Sequence, residues 1–354
     1  VKNDGQLKVL HLSFHLGCIK DFEEIARELE LDLTSWYLLG QRPLTYIDGK
    51  SLGNEIYNVT AERAHNIWGL HKDFFNQFDV VLTSDTAPLS RIFLQSDWQK
   101  PLLIWVCNRF DYAHFDGLTN FPDHDYYRLF QMAADMPNVR VIPYTNYEWL
   151  YAHKRGIHIS HDTIRPIGSI DDGPRHGTAS LIPDTVAANE TLFIYPRLTD
   201  HELAFAMQMC HKQNISCYCG RYNGPGELAK YKAVLYFPYA WSNVALYENL
   251  HRGIIHFVPS RTFIKKSAAQ NAPVRALTID DTLFEFCEWY NPEYQDIFVY
   301  FDSWEDLGQK FNNLDYASMQ SKIKAFGARH RAQVMAQWRE MFAWVSCYQK
   351  VAVD

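Results

Sequence analysis

Short apolar runs of strand length alternate with amphipathic stretches of helix length along most of this chain, the pattern of a parallel sheet covered by helices on both faces. Residues 7–14 read as a strand, 21–29 as a helix with Ile25 and Leu29 on one face, and 31–39 as a second strand. A helix over 61–78, a strand over 79–83 and a short helix over 88–95 follow. Residues 101–107 are a continuous apolar run, as a strand buried on both faces requires. Residues 126–134, 139–143, 145–155 and 164–167 continue the alternation.

The pattern then breaks. Residues 171–189 contain two prolines, two glycines and no periodicity, and read as a linker. Alternation restarts with a strand over 191–195, a helix over 200–212, a strand over 215–218 and a short helix over 226–230. Near the end, a strand over 297–300 precedes a helix capped around Asp302 or Ser303, and a long helical tail runs from 316 to about 345. Two α/β domains joined by a linker are expected, at 1–170 and 190–315, with the tail at 316–354.

The most specific stretch is 231–260. An apolar strand over 233–237 is stopped by Pro238, Ser242 and Asn243 can cap a helix that starts near Val244, Gly253 ends that helix, and 254–258 returns to the sheet. Unpaired N–H groups at such a helix start attract phosphate. Glu248 lies roughly 7 Å further along, where a carboxylate can accept hydrogen bonds from ribose hydroxyls.

In Ser242-Asn243, Glu248, Gly253 and Pro259-Ser260 the chain resembles the nucleotide-sugar glycosyltransferases of the GT-B fold. The resemblance implies two Rossmann-like doubly wound α/β domains facing across a cleft, an N-terminal acceptor domain and a C-terminal donor domain, with the long last helix packing back toward the first domain. It also implies a nucleotide diphosphate sugar as co-substrate, a glycan acceptor, hexosyl or pentosyl transfer, and no other cofactor. Many retaining members carry a second glutamate eight residues before the first, and here that position is Ala240. Inversion at the anomeric carbon is therefore expected.

Composition narrows the partners. A chain of 354 residues suits two cores of about 150 to 180 residues. A hydrophobic content of 47% with 21% charged residues describes a globular protein, and a net charge of −7 lacks the basic surface that nucleic acid requires. No apolar run approaches the roughly 20 residues of a membrane helix, and the first residues lack the form of a signal peptide, so a cytoplasmic protein is expected. The seven cysteines show no zinc spacing and read as reduced, mostly buried thiols. A start at Val1 without methionine fits a trimmed chain or one module of a larger polypeptide.

Ligands of open α/β sheets bind at the carboxyl ends of the strands, so polar residues directly after strands are the candidates. In the second domain these are Arg197, then Gly220, Arg221 and Tyr222, then Trp241, Ser242 and Asn243. A guanidinium pairs with pyrophosphate oxygens through two parallel hydrogen bonds, a task that falls first to Arg197. The glycines of loop 220–227 let the backbone approach a flat base on which Tyr222 can stack.

In the first domain Gly17 allows close approach of a sugar, and His15 stands where inverting relatives place a base, with Asp111 and Asp85 as rivals. Asp21 reads as a helix N-cap. Phe110 and Tyr112, in an aromatic stretch that also holds Phe115 and Phe121, are expected on the acceptor side. Asp123-His124-Asp125 spells a DxD, yet its place before a helix favours capping, and no metal site is expected. Two other functions fit the same pattern: a hydrolysing nucleotide-sugar epimerase, and a sugar-nucleotide binding module without catalysis.

Overall fold

The computed structural model describes residues 6–39, 58–112, 123–170, 180–274 and 281–353. Strands β1 (Lys8–Ser13), β2 (Asp32–Tyr37), β3 (Val80–Ser84), β4 (Leu102–Val106) and β5 (Val139–Pro143) form one sheet in the order β2-β1-β3-β4-β5. Strands β6 (Leu192–Ile194), β7 (Cys217–Tyr218), β8 (Ala233–Leu235), β9 (His256–Pro259) and β10 (Phe298–Phe301) form a second, in the order β10-β9-β8-β6-β7. Read from its β7 edge, the second sheet repeats the first: second strand outermost, then first, third, fourth and fifth. The strand pairings in both sheets are parallel. In this order the chain reverses direction across the sheet between its first and third strands, and the carboxyl ends of those two strands leave a crevice.

Helices α1 (Leu16–Glu28), α2 (Ala61–Phe75), α3 (Arg91–Leu94), α4 (His124–Ala133) and α5 (Asn146–His153) belong to the first half. Helices α6 (Asp200–Lys212), α7 (Pro225–Leu228), α8 (Val244–Arg252), α9 (Arg261–Ala269) and α10 (Trp304–Asn313) belong to the second, and α11 (Tyr316–Val353) closes the chain. The chain divides into two compact units, Val1–Ile167 with Ala332–Asp354, and Gly168–Arg331, so α11 supplies residues to each. No helix among the described residues is long and apolar enough to cross a membrane.

Local chemistry explains many of the boundaries. Thr145 and Glu148 form a reciprocal capping box at the start of α5, and Thr199 and Glu202 form another at α6. Ser303, the second of the two expected caps, accepts the N–H of Asp306 at the start of α10. Asp123 caps α4 by accepting the N–H of Tyr126 and pairs with Arg91 at 2.8 Å, so the DxD is a helix start. All five residues of β4 are buried, as its unbroken apolar run requires.

Several expectations need correction. α1 begins at Leu16, five residues before the expected start, and its cap is His15. Asp21 is therefore no cap: it sits inside α1, fully buried, and accepts the N–H of Ile167 at 3.0 Å. Residues 164–167 form no strand; the segment is held among others by that carboxylate, by Ile164 N–H to the Pro143 carbonyl and by Trp105 Nε1–H to the Ile164 carbonyl at 2.7 Å. The short helix expected at 88–95 is a 3-10 turn, Ala87–Ser90, followed by α3. α9, capped by Ser260, was not expected at all. All seven cysteines are free thiols, but only Cys18, Cys210 and Cys287 are buried. The first part of the linker, 171–179, and Phe115 and Phe121 lie outside the described residues.

In the first unit the core is built across both faces of the sheet, and α11 completes one of them. Trp338 is fully buried, edge-on to Phe22 at 5.2 Å and to Trp105 at 5.5 Å. Trp338→Ala removes the largest side chain that α11 brings to this core and is expected to destabilise the unit by about 3–5 kcal/mol. Urea unfolding measures that loss, and a midpoint equal to the parent's would contradict the packing described.

Candidate donor pocket and candidate base

In the second unit the crevice between the carboxyl ends of β6 and β8 is a cavity of about 680 Å³, lined by Tyr195, Arg197, Arg221, Tyr222, Ala245 and Glu248 among others. α8 positions two of these. Asn243 fixes its start: the side-chain oxygen accepts Leu246 N–H at 2.8 Å, while its amide donates to the Tyr236 hydroxyl at 2.6 Å. Gly253 fixes its end in the left-handed region at φ +66°, where a Cβ would also stand 2.9 Å from the Gln320 carbonyl. Gly168 presses on the middle of the helix, since a Cβ there would lie 2.3 Å from the Tyr247 carbonyl. Glu248 is thereby presented to the cavity from a helix held at both ends and along its side, and is itself 8% exposed.

The opposite wall comes from the segments after β6 and β7. Tyr195 and Tyr222 are joined through their hydroxyls at 3.2 Å, and burial pushes both phenols above their ordinary pKa, so they remain neutral hydrogen-bonding groups. Arg197 lies 5.2 Å from the centre of the Tyr239 ring, which stacks at 14° on Tyr195. Two guanidinium groups and one carboxylate thus line one cavity, a balance that favours an anionic ligand.

Of the residues selected from the sequence, Arg197, Arg221, Tyr222 and Glu248 come together in this lining. Gly220, Trp241, Ser242 and Asn243 do not line it. Gly220 serves packing, because a Cβ there would lie 2.3 Å from the Tyr218 hydroxyl. Trp241 contributes its carbonyl to Glu288 N–H at 2.9 Å, and Asn243 is the cap. The sequence reading missed Tyr195, Leu181 and Asn249. Tyr195 reads as the last residue of an apolar strand, Leu181 falls in the linker, and Asn249 is one more polar residue on a helix.

In the first unit the crevice between β1 and β3 carries His15 and Asp85. His15 Nδ1 accepts the N–H of Cys18 at 3.3 Å. That bond engages Nδ1 in capping α1. Gly17 is half-buried in the first turn of the same helix.

Asp85 differs. It is held at φ +69°, a costly conformation for a residue with a side chain, it is 8% exposed, and one carboxylate oxygen accepts the Asn108 amide at 2.9 Å. Burial, helped by charge on the neighbouring Cys18 thiol, pushes its pKa up to about 7, against the opposing pull of His15 and Asn108. The Cys18 thiol is pulled down to about 5 by hydrogen bonds from Cys107, His15 and Ser84 despite its burial.

The remaining candidates separate clearly. Asp111 is 1% exposed, accepts the Tyr127 hydroxyl and lies 3.8 Å from Arg155. Phe110 is fully buried in the core beside Phe130 and Tyr151, which corrects its place on the acceptor side: the strand end folds it inward. Tyr112 is half-buried, its ring 5.8 Å from Arg109.

Two parallel sheets of one strand order, each with its loops at a switch point, and a long closing helix define the GT-B fold of nucleotide-sugar glycosyltransferases. The chain is similar to a solved transferase described as a ugt from Siraitia grosvenorii in complex with UDP, at 10% identity and a TM-score of 0.55, over 96% of this chain and 100% of that one. It is also similar to a UDP-N-acetylglucosamine 2-epimerase, at 13% identity and a TM-score of 0.50, over 96% of this chain and 97% of that one. No family model and no curated sequence matches the chain.

The raised pKa of Asp85 has a consequence for stability. Between about pH 4 and pH 7 the folded protein retains a proton that the unfolded chain releases, so this group lowers stability progressively as pH rises through that window, and its full cost stands above it. Asn keeps the shape and tolerates the left-handed backbone. Asp85→Asn is therefore expected to stabilise the first unit at pH 8, by on the order of a few kcal/mol, with little change at pH 4. Thermal unfolding at the two pH values tests this; an equal shift at both would show that charge is not the cause.

Proposed function

We propose that the chain is a glycosyltransferase that moves a sugar from a nucleoside diphosphate donor to a hydroxyl of a glycan acceptor. The observation that carries this reading is the meeting of Arg197, Arg221 and Glu248 in a single cavity at the switch point of the second sheet. Its volume of about 680 Å³ lies within the roughly 300–1,000 Å³ range of small-molecule sites. The diphosphate is held by Arg197, with Arg221 adding charge, and by the N–H groups of the first turn of α8, where Ala245 faces the cavity. Glu248, one turn further along, accepts the ribose hydroxyls.

The base that deprotonates the acceptor is Asp85. A carboxylate with a pKa near 7 is half-ionised at neutral pH and is more basic than an ordinary one, which suits proton abstraction. His15 caps α1, and one oxygen of Asp111 is engaged by both Tyr127 and Arg155. Displacement by the activated hydroxyl inverts the anomeric carbon, and no second glutamate stands at Ala240 to support retention. The phosphate charge is met by arginine and helix amides, so the reaction is independent of divalent metal.

The epimerase reading shares the donor pocket and needs further carboxylates around the sugar, whereas Glu248 is the one carboxylate lining the cavity among the described residues. Incubation with labelled nucleotide sugars and a panel of acceptors separates the alternatives: a glycosylated acceptor supports transfer, a free epimerised sugar contradicts it, and binding without turnover leaves a binding module.

Arg197→Ala should weaken binding of a nucleoside diphosphate by about 1.5–3 kcal/mol, the worth of a hydrogen bond to a charged group. Calorimetry reads this directly, and an unchanged affinity would remove Arg197 from the phosphate site. Asp85→Asn should lower kcat by about 10²–10⁴, and the parent's kcat/KM should rise with pH through about 7 as the carboxylate ionises. His15→Ala should instead cost about 1 kcal/mol of stability as a lost cap, with a far smaller loss of rate. If His15→Ala is the inactive variant and Asp85→Asn the active one, the two roles are reversed.

A further inference from the structure

The glycine-rich loop after β7 ends in a carboxylate that has no part in the chemistry above. Glu227, in α7, is 6% exposed. One of its oxygens accepts the Leu181 N–H at 2.7 Å and the Ser180 hydroxyl, and the other accepts the Asn223 N–H at 2.6 Å. No Lys or Arg pairs with it among the described residues. Burying a carboxylate without a counter-charge is costly unless hydrogen bonds replace its water. Burial pushes this carboxyl up, but the bonds from Ser180, Asn223 and Leu181 outweigh it and hold the group below its ordinary range.

The donors it gathers come from two segments more than 40 residues apart, and both segments line the 680 Å³ cavity, through Leu181 on one side and Arg221, Tyr222 and Gly224 on the other. Gly224 itself needs φ +84° for the loop to turn back onto Glu227, whose N–H returns to the Gly224 carbonyl at 3.2 Å. We infer that Glu227 is the positioning residue of the nucleotide pocket: its ionised carboxylate fastens segment 180–181 to loop 220–224 and thereby holds Arg221 and Tyr222 in the arrangement that binds the nucleotide. This inference rests on the reading of that cavity as a nucleotide site.

Glutamine is a stringent probe because it matches the shape but not the pattern. Two carboxylate oxygens accept from both segments at once, whereas a carboxamide presents one acceptor and one donor, so one segment faces an N–H with its own N–H. Titration of the full chain with UDP, followed by calorimetry, is the test, with hydrogen exchange of segments 180–182 and 220–224 measured on the same samples. Glu227→Gln should weaken UDP about ten- to a hundredfold and speed exchange in both segments without ligand. Ser180→Ala, which removes one donor and leaves the carboxylate, should give a smaller weakening of the same kind.

In the catalysed reaction Glu227→Gln should raise the donor KM and leave kcat nearly unchanged, since the residue touches no reacting atom. A folded Glu227→Gln protein with faster exchange but the parent's UDP affinity would reduce Glu227 to a structural tie and overturn the inference. Failure of the cavity reading is distinguishable, because UDP would then bind the parent and Arg197→Ala alike or not at all, and the inference would fall with it.

Discussion

Every functional feature of this chain depends on parallel strand pairing. Parallel strands bring all their carboxyl ends to one edge of the sheet, and the order shared by both units opens a crevice between the first and third strands of each. Arg197 and Glu248 are 51 residues apart in sequence, yet they line one cavity because β6 and β8 are neighbours. His15 and Asp85 share a crevice for the same reason, through β1 and β3. The apolar strands are therefore more than a core: their pairing sets which loops can act together.

The two crevices are built with opposite energetics. Around the second unit's cavity three ties hold the polar groups: Asn243 caps α8, Glu227 joins two segments, and Tyr195 bonds to Tyr222. Such a pocket is preorganised, and an anion entering it gains charge-assisted bonds with little rearrangement. In the first unit the structure holds Asp85 in a left-handed backbone conformation and in surroundings that disfavour its charge. Backbone strain and a raised carboxyl pKa thus meet in one residue, the combination that the proposed base requires.

Much of this was legible in the sequence where one physical signal was dominant. The uninterrupted apolar run of β4, the Asn243 cap and the Gly253 stop each leave a local mark, and the placement of Glu248 follows from them. Where two polar residues competed for one role, local reading failed. Asp21 is the better intrinsic cap than His15, but it is fully buried against Ile167, a contact set by tertiary packing. Phe110 looked like a sugar platform and is core, because composition does not report which way a strand end turns. Asp85 could not be told from its rivals as a base, since neither its backbone angle nor its burial is written in the residues beside it. Tyr195, Leu181 and Glu227 become part of a site only once distant segments meet.

The central claim is that the second unit's cavity binds a nucleoside diphosphate with its phosphates at Arg197 and its ribose at Glu248. A crystal structure of the chain soaked with UDP tests it most directly. The account predicts diphosphate density between Arg197 and the first turn of α8, with the ribose hydroxyls within hydrogen-bonding distance of the Glu248 carboxylate. Ordered UDP bound elsewhere, or in this cavity with its ribose turned away from Glu248, would contradict it.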